Sequence, residues 1–341
     1  MENVTTSPKI PDNDIEAKTI VTFVMPAYNA GKYIAQAIES IENQTIRGGW
    51  SLLVCDDGST DDTLEIVKKY AAKDPRVKWM RMPQNSGCVY QPRKAAIVAA
   101  ESEYVAPLDA DDWIEPDYLE KLMSELRNDS VDAVYPTMHT GSDGRIFLQY
   151  DASVRHKDFK GKDCVKFTLD GWRIHCGGGI IRRDVYLRTF GKYDSSLTYP
   201  FSDELLTRQL LSECAIVRFS DAKYFYREND ESITHHVSYK LFGYLINHCS
   251  LIDFTREIYG TNSEEYLLAQ RQNFHGIFDA LNLLNHHNFS KSDTEYAMTH
   301  IKECAAKIDN QTIKGNVSRK YRLLLKLGFK PARFVLSILK R

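Results

Sequence analysis

The chain has 341 residues, enough for one large domain with an appendage or for two domains. Hydrophobic residues make up 43% and charged residues 26%, the balance of an ordinary soluble globular protein, and a net charge of −2 gives no overall pull toward nucleic acid. No apolar stretch approaches the roughly 18 to 20 residues of a membrane-spanning helix. Seven scattered cysteines without a Cys-x-x-Cys pair argue against a disulfide framework and a zinc site.

Residues 1–18 are polar, contain Pro8 and Pro11 and lack the apolar core of a secretory signal, so a disordered lead-in is expected. The expected compartment is a reducing cytoplasm. From Thr19 to Tyr135, strand and helix patterns alternate. Ile20–Met25 reads as a buried strand, and Tyr33, Ile34, Ala37, Ile38 and Ile41 then recur at helical spacing. Leu52–Cys55 is the second strand, followed by a helix with Leu64, Val67 and Ala71 on one face. Val77–Met82, a helix over Gln91–Ala100, and Tyr104–Leu108 continue the series. Pro116 suits a helix start, with Leu119, Leu122, Met123 and Leu126 on its buried stripe, and Val131–Tyr135 closes the run. Such alternation predicts an α/β fold with a mostly parallel sheet flanked by helices.

After Pro136 the pattern weakens into loops and short strands. Asp203–Leu211 is expected to be helical and Ala215–Tyr226 to be strand and turn. Three amphipathic helices are expected over Tyr239–Tyr259, Ser263–Leu284 and Ser292–Ile308. Between Lys314 and Arg341, nine Lys or Arg residues interleave with leucines and no acidic residue, and Gly328 and Pro331 should split this tail into two short helices.

Two acidic clusters stand at predicted strand exits, Asp56-Asp57-Gly58-Ser59-Thr60-Asp61-Asp62 and Asp109-Ala110-Asp111-Asp112. Strand exits are where open α/β sheets bind ligands. Like charges at one sheet edge call for a hard divalent cation, itself gripping a diphosphate. Thr60–Asp62 should cap the next helix, which leaves Asp56 and Asp57 beyond what capping requires. A carboxylate there can accept the imide N–H of a pyrimidine. Along an extended segment, Asp109 and Asp111 share one side and can share a metal ion or a ribose hydroxyl, although an exposed turn would carry the same residues. Pro26-Ala27-Tyr28-Asn29 ends the first strand at the same edge, where Tyr28 would stack on a planar base or simply pack in a turn. No Gly-x-Gly-x-x-Gly follows this strand, and no Gly-x-x-x-x-Gly-Lys-Ser/Thr loop exists. Trp172, His175 and Gly178 sit in a glycine-rich stretch that admits either close approach of a sugar or plain turns. His235 or His236 would serve as a metal ligand or as a surface residue.

In this order, Pro26-x-Tyr28-Asn29, Gln44-Thr45, Asp56-Asp57-Gly58-Ser59-Thr60-Asp61, Asn85-Ser86-Gly87 and Asp109-Ala110-Asp111-Asp112-Trp113 closely resemble glycosyltransferase family 2. The likeness spans Thr19–Tyr135 and is thinner over Asp163–Thr234. It implies a GT-A, Rossmann-like fold and an inverting transfer from a nucleoside diphosphate sugar with Mn2+ or Mg2+. Tyr28 would stack on the base, Asp57 would meet its edge with Asp56 adjacent, and uridine is the expected base. Asp109 would reach the ribose or the metal, and Asp111 would coordinate the ion on the diphosphate, with Asp112 as substitute. Pro26, Asn29, Gly87 and Ala110 fall on the nucleotide-binding segments. Many relatives carry Ala-Arg-Asn-x-Gly where this chain reads Gln91-Pro92-Arg93-Lys94-Ala95; Arg93 is retained and would help bind phosphate. Relatives also open an acceptor-side helix with Glu-Asp, whose Asp is the general base. Here Asp203 matches, Ser202 replaces the Glu, and Glu204 is the fallback. A capping Ser followed by dipole-favoured acids is the plainer reading.

The expected organisation is a catalytic domain over 19–236, divided at 135 into nucleotide and acceptor halves, a helical extension over 237–313 and a basic tail over 314–341. The acceptor would be a saccharide or a lipid-linked molecule, with no nucleic acid partner. The tail would touch an anionic membrane on its cytoplasmic face, or be a packed helix with solvated cations, and the helical extension would serve a homodimer. The rival readings are a sugar-1-phosphate nucleotidyltransferase and a non-catalytic sugar-binding protein on the same fold.

Overall fold

The computed structural model describes residues 19–126, 130–141, 145–148, 152–169, 174, 177–193, 199, 201–228 and 237–332. In chain order the first half comprises β1 (Val21–Ala27), α1 (Ile34–Glu42), β2 (Trp50–Asp56), α2 (Thr63–Ala71), β3 (Val77–Arg81), α3 (Tyr90–Ala99), β4 (Tyr104–Pro107), β5 (Trp113–Ile114), α4 (Tyr118–Glu125) and β6 (Val131–Thr140). Then follow β7 (Ile146–Leu148), β8 (Phe159–Lys160), α5 (Gly161–Cys164), β9 (Ile180–Arg182), α6 (Arg183–Lys192), α7 (Ser202–Glu213) and β10 (Ile216–Tyr226). The chain ends in α8 (Gly243–Tyr259), α9 (Glu264–His286), α10 (Lys291–Ala306) and α11 (Arg319–Leu327). No helix among the described residues is long and apolar enough to cross a membrane.

Two compact units result, Met1–Thr198 with Leu206–Glu228, and Tyr199–Leu205 with Asn229–Arg341. The first is built on a sheet ordered β3-β2-β1-β4-β9-β6-β10-β5, with β7 beside β6 and β8 beside β10. β3, β2, β1 and β4 run parallel, β6 and β10 run parallel to each other, and β9 joins the two blocks antiparallel to both. All six of these longer strands therefore point the same way, which makes the sheet mostly parallel. Alternate residues of a strand face opposite sides. Val21, Phe23 and Met25 of β1 join Ile34, Ile38 and Ile41 of α1, Val67 of α2 and Leu122 of α4 in one core. Val24 and Val105 are fully buried on the other face, and α3 packs on β1 and β2.

β6 continues past Tyr135 to Thr140, through the proline that the sequence pattern takes as its end. Pro136 has no N–H to give a neighbouring strand. The ladder accommodates this with an irregularity in β10, where pairing passes from Tyr135↔Phe219 to Thr137↔Lys223.

The second unit is helical, with its own core of Phe242, Leu245, Phe274, Ile277, Leu281, Ile301 and neighbours. Ser263 and Ser290 cap α9 and α10, each hydroxyl accepting from an N–H three residues on. The tail breaks at Gly328 (φ 93°) and helix resumes at Phe329. Within α11, Leu324 is buried, and Tyr321 and Leu325 pack against the helical core.

Candidate active site

Register places the chemistry. Ala27 of β1 pairs Asp56 of β2, and Val24 of β1 pairs Pro107 of β4. The exits of β2, β1 and β4 therefore lie side by side, with Tyr28-Asn29 between the two acidic clusters. This is the point where strand order reverses in a parallel sheet.

The first exit loop is clamped to the second. Asn29 has φ 49°, a left-handed conformation that Asn tolerates. Its N–H donates to Ser59 Oγ at 2.9 Å, and its Oδ1 accepts from the Thr60 N–H at 2.8 Å. Tyr28 is left half exposed. Asp61, rather than Asp62, supplies the bond that opens α2: its Oδ1 accepts from the Thr63 N–H at 3.0 Å and its Oδ2 from the Gly31 N–H at 3.0 Å. Asp62 stands at the cap position without a side-chain bond.

Asp57 accepts from the Ser86 hydroxyl (2.8 Å), the Ser86 N–H (3.0 Å) and the Asn85 amide (3.2 Å). Burial pushes its carboxyl upward, against the hydrogen bonds from Ser86 that hold it down. Gly58 allows this turn: at φ +78°, a Cβ there would stand 2.9 Å from the Asn85 backbone nitrogen. Gly87, in the facing loop with Asn85 and Ser86, also has a left-handed φ of +77°. Asp56 is fully buried. Its Oδ1 accepts from the Ser59 N–H at 3.2 Å, and Arg81 Nε lies 3.1 Å from its Oδ2, a charge contact without hydrogen-bond geometry. Asp56 thus fastens β2 to β3.

At the second cluster, Arg93 donates to Asp109 Oδ1 at 2.6 Å. Arg93 is only 1% exposed, so its guanidinium holds a carboxylate where the sequence suggests a phosphate contact. Ala110 is buried and Asp111 half-buried. Asp112 turns inward: Oδ2 accepts from the Tyr224 hydroxyl at 2.6 Å and Oδ1 from the Arg227 N–H at 2.8 Å. Burial raises its carboxyl well above the usual range, and Asp111 and Asp109 add to the effect. Arg227 also donates to the Asp111 carbonyl at 2.6 Å and lies over the rings of Tyr33 and Trp113, 4.8 and 4.6 Å from their centres. Among the described residues no three His, Cys, Asp or Glu side chains form a metal-binding group.

The acceptor-side expectations land unevenly. Gly178 is buried against the Tyr224 ring and Pro136, so its lack of a side chain serves packing. Trp172, His175, His235 and His236 lie outside the described residues. Asp203 and Glu204 occupy the first turn of α7; residues up to Leu205 group with the helical unit, and the helix from Leu206 on groups with the sheet unit. Asp203 Oδ1 accepts from the Glu204 N–H at 3.2 Å, and Glu204 Oε2 accepts from the Asn247 amide at 2.9 Å. Phe201, just before the helix, has φ 67°, an uncommon conformation for a bulky residue.

The Glycosyl transferase family 2 profile matches residues 22–190. The chain carries a glycosyltransferase family 2 domain. Its family 2 segment is 38% identical over 130 residues to Chondroitin synthase from Escherichia coli, covering 38% of this chain and 18% of that one. It is 36% identical over 129 residues to Hyaluronan synthase from Pasteurella multocida, covering 38% of this chain and 13% of that one. The match thus spans less than a fifth of either synthase. Glycosyltransferase GlyG from Streptococcus pneumoniae is 27% identical over 224 residues, covering 63% of this chain and 72% of that one. Among solved structures, S. aureus TarS 1–349 in complex with UDP-GlcNAc superposes with a TM-score of 0.64 at 18% identity, covering 93% of this chain and 90% of that one. That likeness establishes the fold, which is the GT-A type expected of the family.

Tyr224, Arg227 and Arg81 escape the sequence reading as functional residues. The only signal for the first two is the aromatic run Tyr224-Phe225-Tyr226 ending in Arg227 at a strand exit. Arg81 ends β3 opposite Asp56, a pairing visible only once register is known.

Proposed function

We propose that this protein moves one sugar from a nucleoside diphosphate donor, with uridine as its base, to an acceptor hydroxyl, inverting the anomeric centre. The observation that carries the reading is the placement of Tyr28-Asn29 between Asp57 and Asp109–Asp111 at three adjacent strand exits. The half-exposed Tyr28 ring offers a stacking face, and Asp57, fixed by Asn85 and Ser86, offers an acceptor to the base edge. Relatives include synthases of the polysaccharides chondroitin and hyaluronan, which supports a saccharide acceptor in cell-surface polysaccharide or glycolipid synthesis.

A divalent ion such as Mn2+ or Mg2+ fits this donor set. Mg2+ is commonly held by one or two carboxylates together with substrate phosphates, so Asp111 beside Asp109 suffices without a third protein ligand. When bound, such an ion neutralises charge on the departing diphosphate. Asp109 is pre-positioned by Arg93, and Arg227 holds the Asp111 backbone. Asp203 serves as general base. Carboxylates are weak bases toward alcohols, so the proton moves late, once the oxygen has begun to bond carbon. Anionic membrane contact through 314–341 would rest on the Lys and Arg side of α11, since Leu324 turns inward.

Asp203→Asn should lower transfer about 10² to 10⁴-fold while leaving UDP binding unchanged, as expected for loss of a positioned base. Asp111→Ala should weaken UDP binding measured calorimetrically with Mn2+ present. Near-normal turnover in Asp203→Asn would move the base role to Glu204. A thermal-shift panel in which no nucleoside diphosphate stabilises the protein would end the donor reading.

A further inference from the structure

In the helical unit, a turn over 310–316 leads into α11. One side of α11 is anchored by Leu324, Leu325 and Tyr321. Arg319, Arg322, Leu323 and Lys326 stand at i, i+3, i+4 and i+7 along this nine-residue helix, on the opposite stripe. Together with Asn310 and Lys314 from the turn, they line a cavity of about 560 Å³. That volume lies within the range of about 300–1,000 Å³ typical of small-molecule sites, but the lining here is cationic.

Four positive groups around one cavity repel each other. Residues 310–332 contain no Asp or Glu. Among the described residues, none of the four cations makes an ion pair. Asp309, next to the cavity in sequence, is spent on its own turn: it accepts from the N–H groups of Gln311 and Thr312 and from the Thr312 hydroxyl. Arg322 Nε is buried and meets no hydrogen-bond partner among the described residues. A buried charged donor left unmatched is costly, and an anionic oxygen would relieve it. Arg322 also brings the fork geometry that suits phosphate, with lysines adding compact charge. Ser318, at the cap of α11, makes no side-chain bond to the first turn, whose amides favour an anion.

We infer that this cavity binds a phosphate group, carried as a monoester or diester, with Arg322 as the gripping side chain. A phosphorylated soluble saccharide and a lipid headgroup both present that group. The inference stands apart from the donor reading, because every residue in it belongs to the helical unit.

Full-length protein should be titrated calorimetrically with inorganic phosphate and with glycerol 3-phosphate, beside an Arg322→Gln/Lys326→Gln variant. The wild type should bind, and the variant should bind about tenfold more weakly or worse, as loss of charge-assisted contacts implies. Its UDP response should be unchanged. Mixed phosphatidylcholine–phosphatidylglycerol vesicles that sediment the wild type, release it on glycerol 3-phosphate addition and fail to capture the variant would identify the lipid source. Binding of free phosphate without vesicle capture would identify a soluble phosphorylated ligand. If the variant fails to fold, the Arg322 Nε–Hε resonance of the wild type should still shift on adding phosphate. No phosphate-dependent shift and no heat of binding, or equal binding by wild type and folded variant, would overturn the inference.

Discussion

Arg76 grips Asp74 through Nε and Nη2 while its guanidinium lies 3.8 Å from the centre of the Trp50 ring. The Arg76 hydrogen bond holds the Asp74 carboxyl below its ordinary range. The folded state therefore gives up this proton at lower pH than the unfolded chain, whose value is about 3.9. The stabilisation is present above that pH and is lost as pH falls through the folded value. Both side chains reach water, so it amounts to less than about 1 kcal/mol. Asp74→Asn should lower the melting temperature at pH 7 by no more than about 2–4 °C. The gap to wild type should close in melts run on the acid side. The candidate site divides in the same local way. Tyr28, Asn29 and Asp57 are legible because motif and strand exit coincide in one stretch of sequence. The pairings of Arg93 with Asp109 and of Tyr224 with Asp112 are not, because a buried ion pair or hydrogen bond leaves no spacing that a linear reading can detect.

At the scale of elements, the turn Asp56–Thr60 is held by the close approach of Gly58 to the Asn85 backbone. Gly58→Ala should destabilise the protein by about 1–3 kcal/mol, through both left-handed strain and the clash. By shifting Asn85 and Ser86 away from Asp57, it should also weaken UDP binding in the same titration. The long periodic elements, α1, β1, β2 and α9, announce themselves because burial imposes a regular apolar spacing. β5, β8 and β9 have two or three residues each, too few to show any period. β6 misleads in the other direction. Pro136 looks like a terminator, and only the irregular stretch of β10 across from it explains why the strand continues.

On the scale of the whole molecule, the sheet unit and the helical unit each bury a hydrophobic core. Ile277 is fully buried in the helical one. Ile277→Ala should cost about 2–5 kcal/mol there. Differential scanning calorimetry should show a transition that falls with this substitution and another that still rises with UDP. The α/β class and the helical extension are both readable from periodicity. The insertion of β9 between β4 and β6 is not, since it joins residues far apart in sequence.

That insertion governs the order of birth on the ribosome. The block β3-β2-β1-β4 is complete by Pro107, whereas β9, which must cover its open side, begins 73 residues later at Ile180. At a synthesis rate of about 5–20 residues per second, the outer edge of β4 waits roughly 4 to 15 s for its partner. An unpaired, fully apolar edge is a template for joining other chains. Nascent copies of this protein thus pass through a window in which Tyr104–Pro107 is made but its native neighbour β9 is not.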